Sequence, residues 1–352
     1  MRDPLRPGRT IGDEIDRPVH IRARGADATS DPVEESVALG RAIENAIRAR
    51  VIGQDDLIRG VLLALLSGGH CLVEGTPGLG KTMLVRTIGA VLGVTFSRIQ
   101  FTPDLMPTDV IGTSIYGPNL NGARTLRFEP GPLFAGVVLA DEVNRATPKT
   151  QSALLEAMEE GQATVSGETY RLPEPFFVLA TQNPIEMEGT YPLPDVQLDR
   201  FFFKLHVDYP SPADLNRILE ATTRGPEAEP ERIASGDGLL LARAVVRELP
   251  IASYVRDYAA RLVLATHPNR RAPRIVRRYV AHGASPRGAQ SMILAAKARA
   301  LLGGRYNVSF ADIRSVTLPA LRHRVKRNLA GEVSGVTTDQ VLDAVLREIV
   351  EE

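Results

Sequence analysis

At 352 residues the chain exceeds one ordinary domain, so two are expected, and its 43% hydrophobic content is ample for buried cores. No apolar run approaches the ~20 residues of a membrane-spanning helix, and a single cysteine, Cys71, excludes an internal disulfide. A net charge of zero provides no global field toward nucleic acid.

Residues 1–31 are rich in Arg, Asp, Pro and Gly without apolar periodicity, and they read as a disordered extension rather than a signal peptide. A cytoplasmic location follows by default. From Pro32 the spacing of Val37, Ile43 and Ile47 predicts a helix ending near Arg50. Val51-Ile52-Gly53 is a short extended elbow before a second helix, Asp55 to Leu66. That apolar elbow suits either a seat for a purine ring or plain helix packing.

The stretch His70 to Arg86 is the centre of the chain. An apolar strand (Cys71, Leu72, Val73) leads into the loop Gly75-Thr76-Pro77-Gly78-Leu79-Gly80, and Lys81-Thr82-Met83 opens an apolar helix. This is G-x-x-x-x-G-K-[ST] in a strand–loop–helix context, the P-loop pattern. Backbone N–H groups can wrap a phosphate chain only where no Cβ obstructs the approach, and the helix dipole aims at the same phosphates. Lys81 is placed to reach the β- and γ-phosphates, and the Thr82 hydroxyl to ligate Mg²⁺. The pattern implies that the chain binds a nucleoside triphosphate.

Downstream, Thr95 to Phe101 alternates as a strand, and Thr102-Pro103-Asp104 resembles a helix start. Two runs flanking Asn121-Gly122 predict a β-hairpin. Gly136 to Glu142 (GVVLADE) is an uninterrupted apolar run ending in two carboxylates, as expected of a buried parallel strand whose C-terminal end faces a ligand. Asp141 would hold the Mg²⁺ water shell, and Glu142 would orient the attacking water. An amphipathic helix from Lys149 to Glu160 is followed by a second hairpin turning at Ser166-Gly167. Another buried strand, Phe176 to Thr181, then delivers Asn183 at its end. Arg200 lies between Leu198 and Phe201, just before a last strand, Phe202 to Val207.

Residues 32–210 thus form an α/β core and 211–238 a linker region containing one helix, Pro212 to Thr223. Residues 239–352 form a helical domain, with one helix expected over Phe310 to Leu329. Ser285-Pro286-Arg287 is a helix start that projects Arg287 from the first turn. Residues 267–287 hold six arginines and no acid, a pattern suiting a phosphate-contacting surface, a subunit contact or a solvated face.

The phrases VIGQ, EGTPGLGKT, QFTPDLMPTD, LADEVNRA, LLEAMEEGQATV, ATQNP, EGTYPLPDVQLDRF and GASPRGAQ together resemble the MoxR family of AAA+ ATPases over roughly residues 35–330. The resemblance implies a P-loop AAA+ core with a parallel sheet and two β-hairpin inserts, followed by an all-α lid. It makes Gly75, Gly78, Gly80, Lys81 and Thr82 the Walker A motif and Asp141 and Glu142 the Walker B motif. It also makes Asn183 sensor 1, Arg200 the arginine finger and Arg287 sensor 2, and puts Gln100 where a polar residue restrains the Walker B glutamate. The implied activity is Mg²⁺-dependent ATP hydrolysis in a homo-hexameric ring that remodels or activates a client protein. The implied partner is a von Willebrand factor A domain protein, and metal-cofactor insertion is among the implied roles. A nucleic-acid motor or a chelatase-type subunit is the alternative. Against a motor, the hairpins carry only Arg124, Arg127 and Arg171 and few aromatic residues for stacking.

Overall fold

The computed structural model describes residues 31–76, 78–118, 124–183, 189–223 and 230–351. The expected N-terminal extension up to residue 30, Pro77 and the Asn121-Gly122 turn lie outside the described residues. Helices α1 (Pro32–Arg48) and α2 (Asp55–Ser67) precede strand β1 (Cys71–Glu74), helix α3 (Lys81–Leu92) and strand β2 (Phe96–Gln100). A short helix, α4 (Pro107–Ile111), leads into the hairpin of β3 (Gly112–Pro118) and β4 (Arg124–Pro130). Next come β5 (Val137–Asp141), α5 (Pro148–Glu160), the hairpin of β6 (Gln162–Val165) and β7 (Glu168–Arg171), and β8 (Phe177–Gln182). The one-turn helix α6 (Asp195–Leu198), strand β9 (Phe203–His206) and helix α7 (Pro212–Thr223) complete this half.

The core sheet has the order β2-β5-β8-β1-β9, and every pairing in it is parallel. Parallel strands are covered on both faces by their crossover helices, which is why these segments are apolar throughout instead of alternating. Successive residues serve opposite faces. Val137 and Leu139 of β5 pack with Leu84, Val85 and Ile88 of α3, whereas Val138 and Ala140 pack with Leu154, Leu155 and Met158 of α5. His70 ties the start of β1 to both neighbours. Its Nδ1 accepts the Val178 N–H at 3.0 Å, so the proton is on Nε2, which donates to the Met158 carbonyl at 3.0 Å.

The second half consists of α8 (Gly236–Glu248), α9 (Ser253–Ala265), α10 (Arg274–Tyr279), strand β10 (Val280–His282), α11 (Pro286–Leu302) and α12 (Phe310–Leu321). Strand β11 (Lys326–Arg327), α13 (Leu329–Val333) and α14 (Thr338–Glu348) follow. Buried residues of α8, α9, α11, α12 and α14 share one apolar cluster with α1, α2, α3 and one face of the sheet. The lid is therefore continuous with the core through the N-terminal helices.

Two local differences from the sequence reading have plain causes. The helix expected at Thr102 begins instead at Pro107. There Asp109 reaches back to accept the Met106 N–H at 2.8 Å, while Pro103 and Asp104 form a turn. The single helix expected over Phe310 to Leu329 is interrupted. Residues Lys326 and Arg327 pair antiparallel with β10, and Asn328 caps a new helix by accepting the Gly331 N–H at 2.9 Å. The lid accordingly contains a short ribbon besides its helices. The Ser166-Gly167 turn is as expected, with positive φ at both residues (52° and 86°), the conformation that matches strand twist in two-residue hairpins. The two hairpins touch, with the rings of Phe128 and Tyr170 stacked at 3.9 Å.

Candidate active site

The loop after β1 is shaped by what its glycines lack. A Cβ on Gly75 would sit 2.8 Å from the Val207 carbonyl oxygen, so the chain passes the end of β9 only as glycine. Gly78 and Gly80 have φ of 84° and 78°, a region that other residues enter at a cost. Lys81 folds back over the loop, its Nζ donating to the Gly75 carbonyl at 2.7 Å. Desolvation lowers its pKa, and the carboxylates of Asp141 and Glu142 act in the opposite direction.

A cavity of about 260 Å³ lies over this loop and the ends of the adjoining strands. Gly75, Gly78, Gly80, Lys81 and Thr82 line one side, and Asp141, Glu142 and Asn183 line the other. The strand order explains the convergence, because β1, β5 and β8 are neighbours and their C-terminal ends open on the same edge of the sheet. Asn183 is buried there, at 8% exposure. Thr76 is half-buried in the loop and lines neither this cavity nor the adjoining one.

The two acidic residues are held by a network. Glu142 follows the last residue of β5 in the left-handed conformation (φ 58°, ψ 49°), which is unusual for a residue with a side chain. Its N–H donates to Thr181 Oγ1 at 2.8 Å, and that hydroxyl donates to Asp141 Oδ1 at 2.6 Å. Arg98 donates to Asp141 Oδ2 at 2.7 Å and to Gln100 Oε1 at 2.9 Å. Gln100 in turn donates to Glu142 Oε2 at 2.8 Å, and Arg145 does so at 2.9 Å.

Thr82 and Asp141 offer the hard oxygen donors that suit Mg²⁺. Among the described residues no cluster of three or more His, Cys, Asp or Glu side chains could hold a metal by itself. The donor set fits an ion that arrives with phosphates and keeps much of its water, which is the usual habit of Mg²⁺.

An adjoining, more apolar cavity of about 280 Å³ is lined by Val51, Ile52, Leu79 and Met83. Its other wall is Tyr209, Pro210, Leu215 and Ile218, contributed largely by α7 from the stretch read as a linker. Gly53 is not in the lining. With φ of 73°, it allows Asp214 to approach to 2.8 Å of where a Cβ would be.

Arg200 and Arg287 line neither cavity. Both are paired with Glu159 of α5. Arg200 Nε lies 3.0 Å from Glu159 Oε2, and Arg287 bonds the other oxygen. The preceding residues are tied together as well. Asp199 Oδ1 accepts from Ser285 Oγ at 2.7 Å and from Arg324 Nε at 2.7 Å, and Arg324 also reaches the Phe201 carbonyl.

Arg98, Arg145, Glu159 and Thr181 were absent from the sequence-based site. Arg98 and Gln100 did carry a signal, since residues two apart on a strand share a face. That face gains meaning only from the register that sets Gln100 opposite Asp141.

Comparison with known proteins agrees with this fold. A family model described as the ATPase family associated with various cellular activities (AAA) matches residues 70–203, and an AAA lid domain model matches residues 272–345. The chain is 43% identical to Chaperone MoxR1 of Mycobacterium tuberculosis over 94% of its own length and 88% of the relative's. It is 34% identical to Protein MoxR of Methylorubrum extorquens over 80% of its length and 86% of that protein's. A solved structure from Cytophaga hutchinsonii superposes with a TM-score of 0.83 at 38% identity, covering 90% of this chain and 97% of that one. With a parallel P-loop sheet, a helical lid and these relatives along nearly its whole length, the chain belongs to the MoxR family of AAA+ ATPases.

Proposed function

We propose that this chain hydrolyses ATP and uses the energy to remodel or activate a separate client protein. The observation that carries the ATPase reading is the convergence of Lys81, Thr82, Asp141, Glu142 and Asn183 on one cavity. The purine would sit against Val51, Ile52 and Met83 in the adjoining cavity, and the phosphates would run over the glycine loop toward Lys81. Thr82 and Asp141 would hold Mg²⁺, which supplies neutralisation of phosphate charge when bound. Glu142 orients and polarises the attacking water, and Asn183 contacts that water or the terminal phosphate.

Arg200 sits beyond the residues lining its own phosphate cavity, which supports a role at the nucleotide of an adjacent copy in a homo-hexameric ring. The client reading rests on a relative named as a chaperone and on the first hairpin. There the directly opposed pair Tyr116 and Leu126 stands 68% and 64% exposed. A protein with a von Willebrand factor A domain is the proposed co-factor protein, and the cytoplasm the proposed compartment. Among the described residues no helix is long and apolar enough to cross a membrane.

The test is phosphate release from ATP by the purified full chain, with Mg²⁺ or with a chelator, and with or without DNA. Mg²⁺-dependent release that DNA leaves unchanged is expected. Release that survives chelation overturns the metal-dependent ATPase reading, and strong stimulation by DNA overturns the client reading in favour of a nucleic-acid motor.

A further inference from the structure

Glu159 divides its two carboxylate oxygens between arginines separated by 86 residues of chain, one just after α6 in the core and one in the first turn of α11 in the lid. Arg200 engages Glu159 through Nε alone. Its two terminal nitrogens have no hydrogen-bond or ion-pair partner among the described residues. Arg287 likewise spends a single terminal nitrogen. The Arg200 and Arg287 side chains are 28% and 47% exposed.

Two guanidinium groups side by side repel one another, and a shared carboxylate offsets that repulsion while leaving the group with a net positive charge. The planar forks that remain match the oxygens of a phosphate group. Neither arginine lines the cavity over its own P-loop, which favours a phosphate carried by another molecule.

We propose that Glu159 is a positioning residue, holding Arg200 and Arg287 together as one clamp for the terminal phosphate of ATP bound to an adjacent copy of this chain. The proposal rests on the reading of Arg200 as an arginine acting across the ring. A plain surface ion pair would contribute little and would have no effect on a neighbour. A clamp, by contrast, fixes two groups relative to a reacting atom, where a misplacement of an ångström is costly.

The experiment is subunit mixing. Glu159→Ala is expected to bind ATP with an affinity within about twofold of the wild type and to hydrolyse it ~10-fold or more slowly. Mixed with Glu142→Gln subunits, it should exceed both parents, because its own intact Glu142 then faces a neighbour's intact clamp. Mixed with Arg200→Ala subunits it should not, because both carry the same defect. If Glu159→Ala fails to fold, Glu159→Gln, equal in size but uncharged, takes its place.

An unchanged or raised rate overturns the proposal. So does rescue by Arg200→Ala subunits but not by Glu142→Gln subunits, which would put Glu159 to work on its own nucleotide. The control mixture of Arg200→Ala with Glu142→Gln separates the two readings. No rescue there, despite co-assembly, overturns the trans role of Arg200 and this proposal with it. Rescue there, with no effect of Glu159→Ala, overturns this proposal alone.

Discussion

Thr181 Oγ1 accepts the backbone N–H of Glu142 at 2.8 Å, joining the end of one core strand to the acidic residue that follows its neighbour. The same hydroxyl donates to Asp141, so one buried side chain fixes both acidic residues. It also supplies the partner for an amide presented by a left-handed residue. Thr181→Val keeps the shape and removes both bonds. The expected outcome is turnover reduced ~10-fold with ATP affinity little changed, and stability lowered by about 1–3 kcal/mol for the orphaned amide. Steady-state hydrolysis and denaturant titration check it, and wild-type turnover would mean that Glu142 needs no such support.

Lys81→Ala should weaken nucleotide binding ~30-fold or more in a protein that still folds. Lys81 is the cation of the glycine loop, held over it by the Gly75 carbonyl. Loss of a charge-assisted phosphate contact of this kind is worth ~2–3 kcal/mol or more. Titration calorimetry is the measurement, and near-normal affinity would refute the P-loop role.

Glu142→Gln should bind ATP and scarcely hydrolyse it. The amide keeps the size and can still meet Gln100, but it lacks the charge that polarises water. A loss of several orders of magnitude in turnover is expected. Assemblies trapped with ATP should also scatter more light. Hydrolysis within a few-fold of wild type would remove Glu142 from the chemistry.

Acid should weaken the fold through His70. Burial lowers its pKa from 6.5 to about 4. The unfolded chain therefore takes up a proton near pH 6.5, whereas the folded chain resists until about pH 4, and stability falls as pH drops through that window. Between pH 7 and pH 5 the contribution is about 2 kcal/mol. Buried His323, also lowered, acts with the same sign. His70→Gln should shrink the difference in unfolding free energy between pH 7 and pH 5 by that amount. An unaltered difference would assign the acid sensitivity to other groups.

Most of the fold was legible because its signals are local. Val137 to Ala140 and Phe177 to Ala180 read as buried parallel strands since each lacks any polar interruption, and both are fully covered. Glycine spacing located the loop between β1 and α3, and the Ser166-Gly167 pair located a hairpin turn. The misreadings were also local. Pro103 carries the same local helix-start signal as Pro107, which begins the helix, and nothing local after Phe310 marks Lys326 as the partner of a strand near residue 280.

The sequence by itself determined which residues could meet a phosphate chain and an attacking water, because glycine, lysine, threonine and carboxylates have to stand at fixed short spacings to do so. Only the tertiary structure decided what holds them. Arg98 meets Asp141 across 43 positions, Thr181 meets Glu142 across 39, and Glu159 meets Arg287 across 128. The sheet order β2-β5-β8-β1-β9 and the docking of the lid set these meetings. A side chain's partners in a folded chain follow from the packing of whole elements, and no short stretch of residues encodes that packing alone.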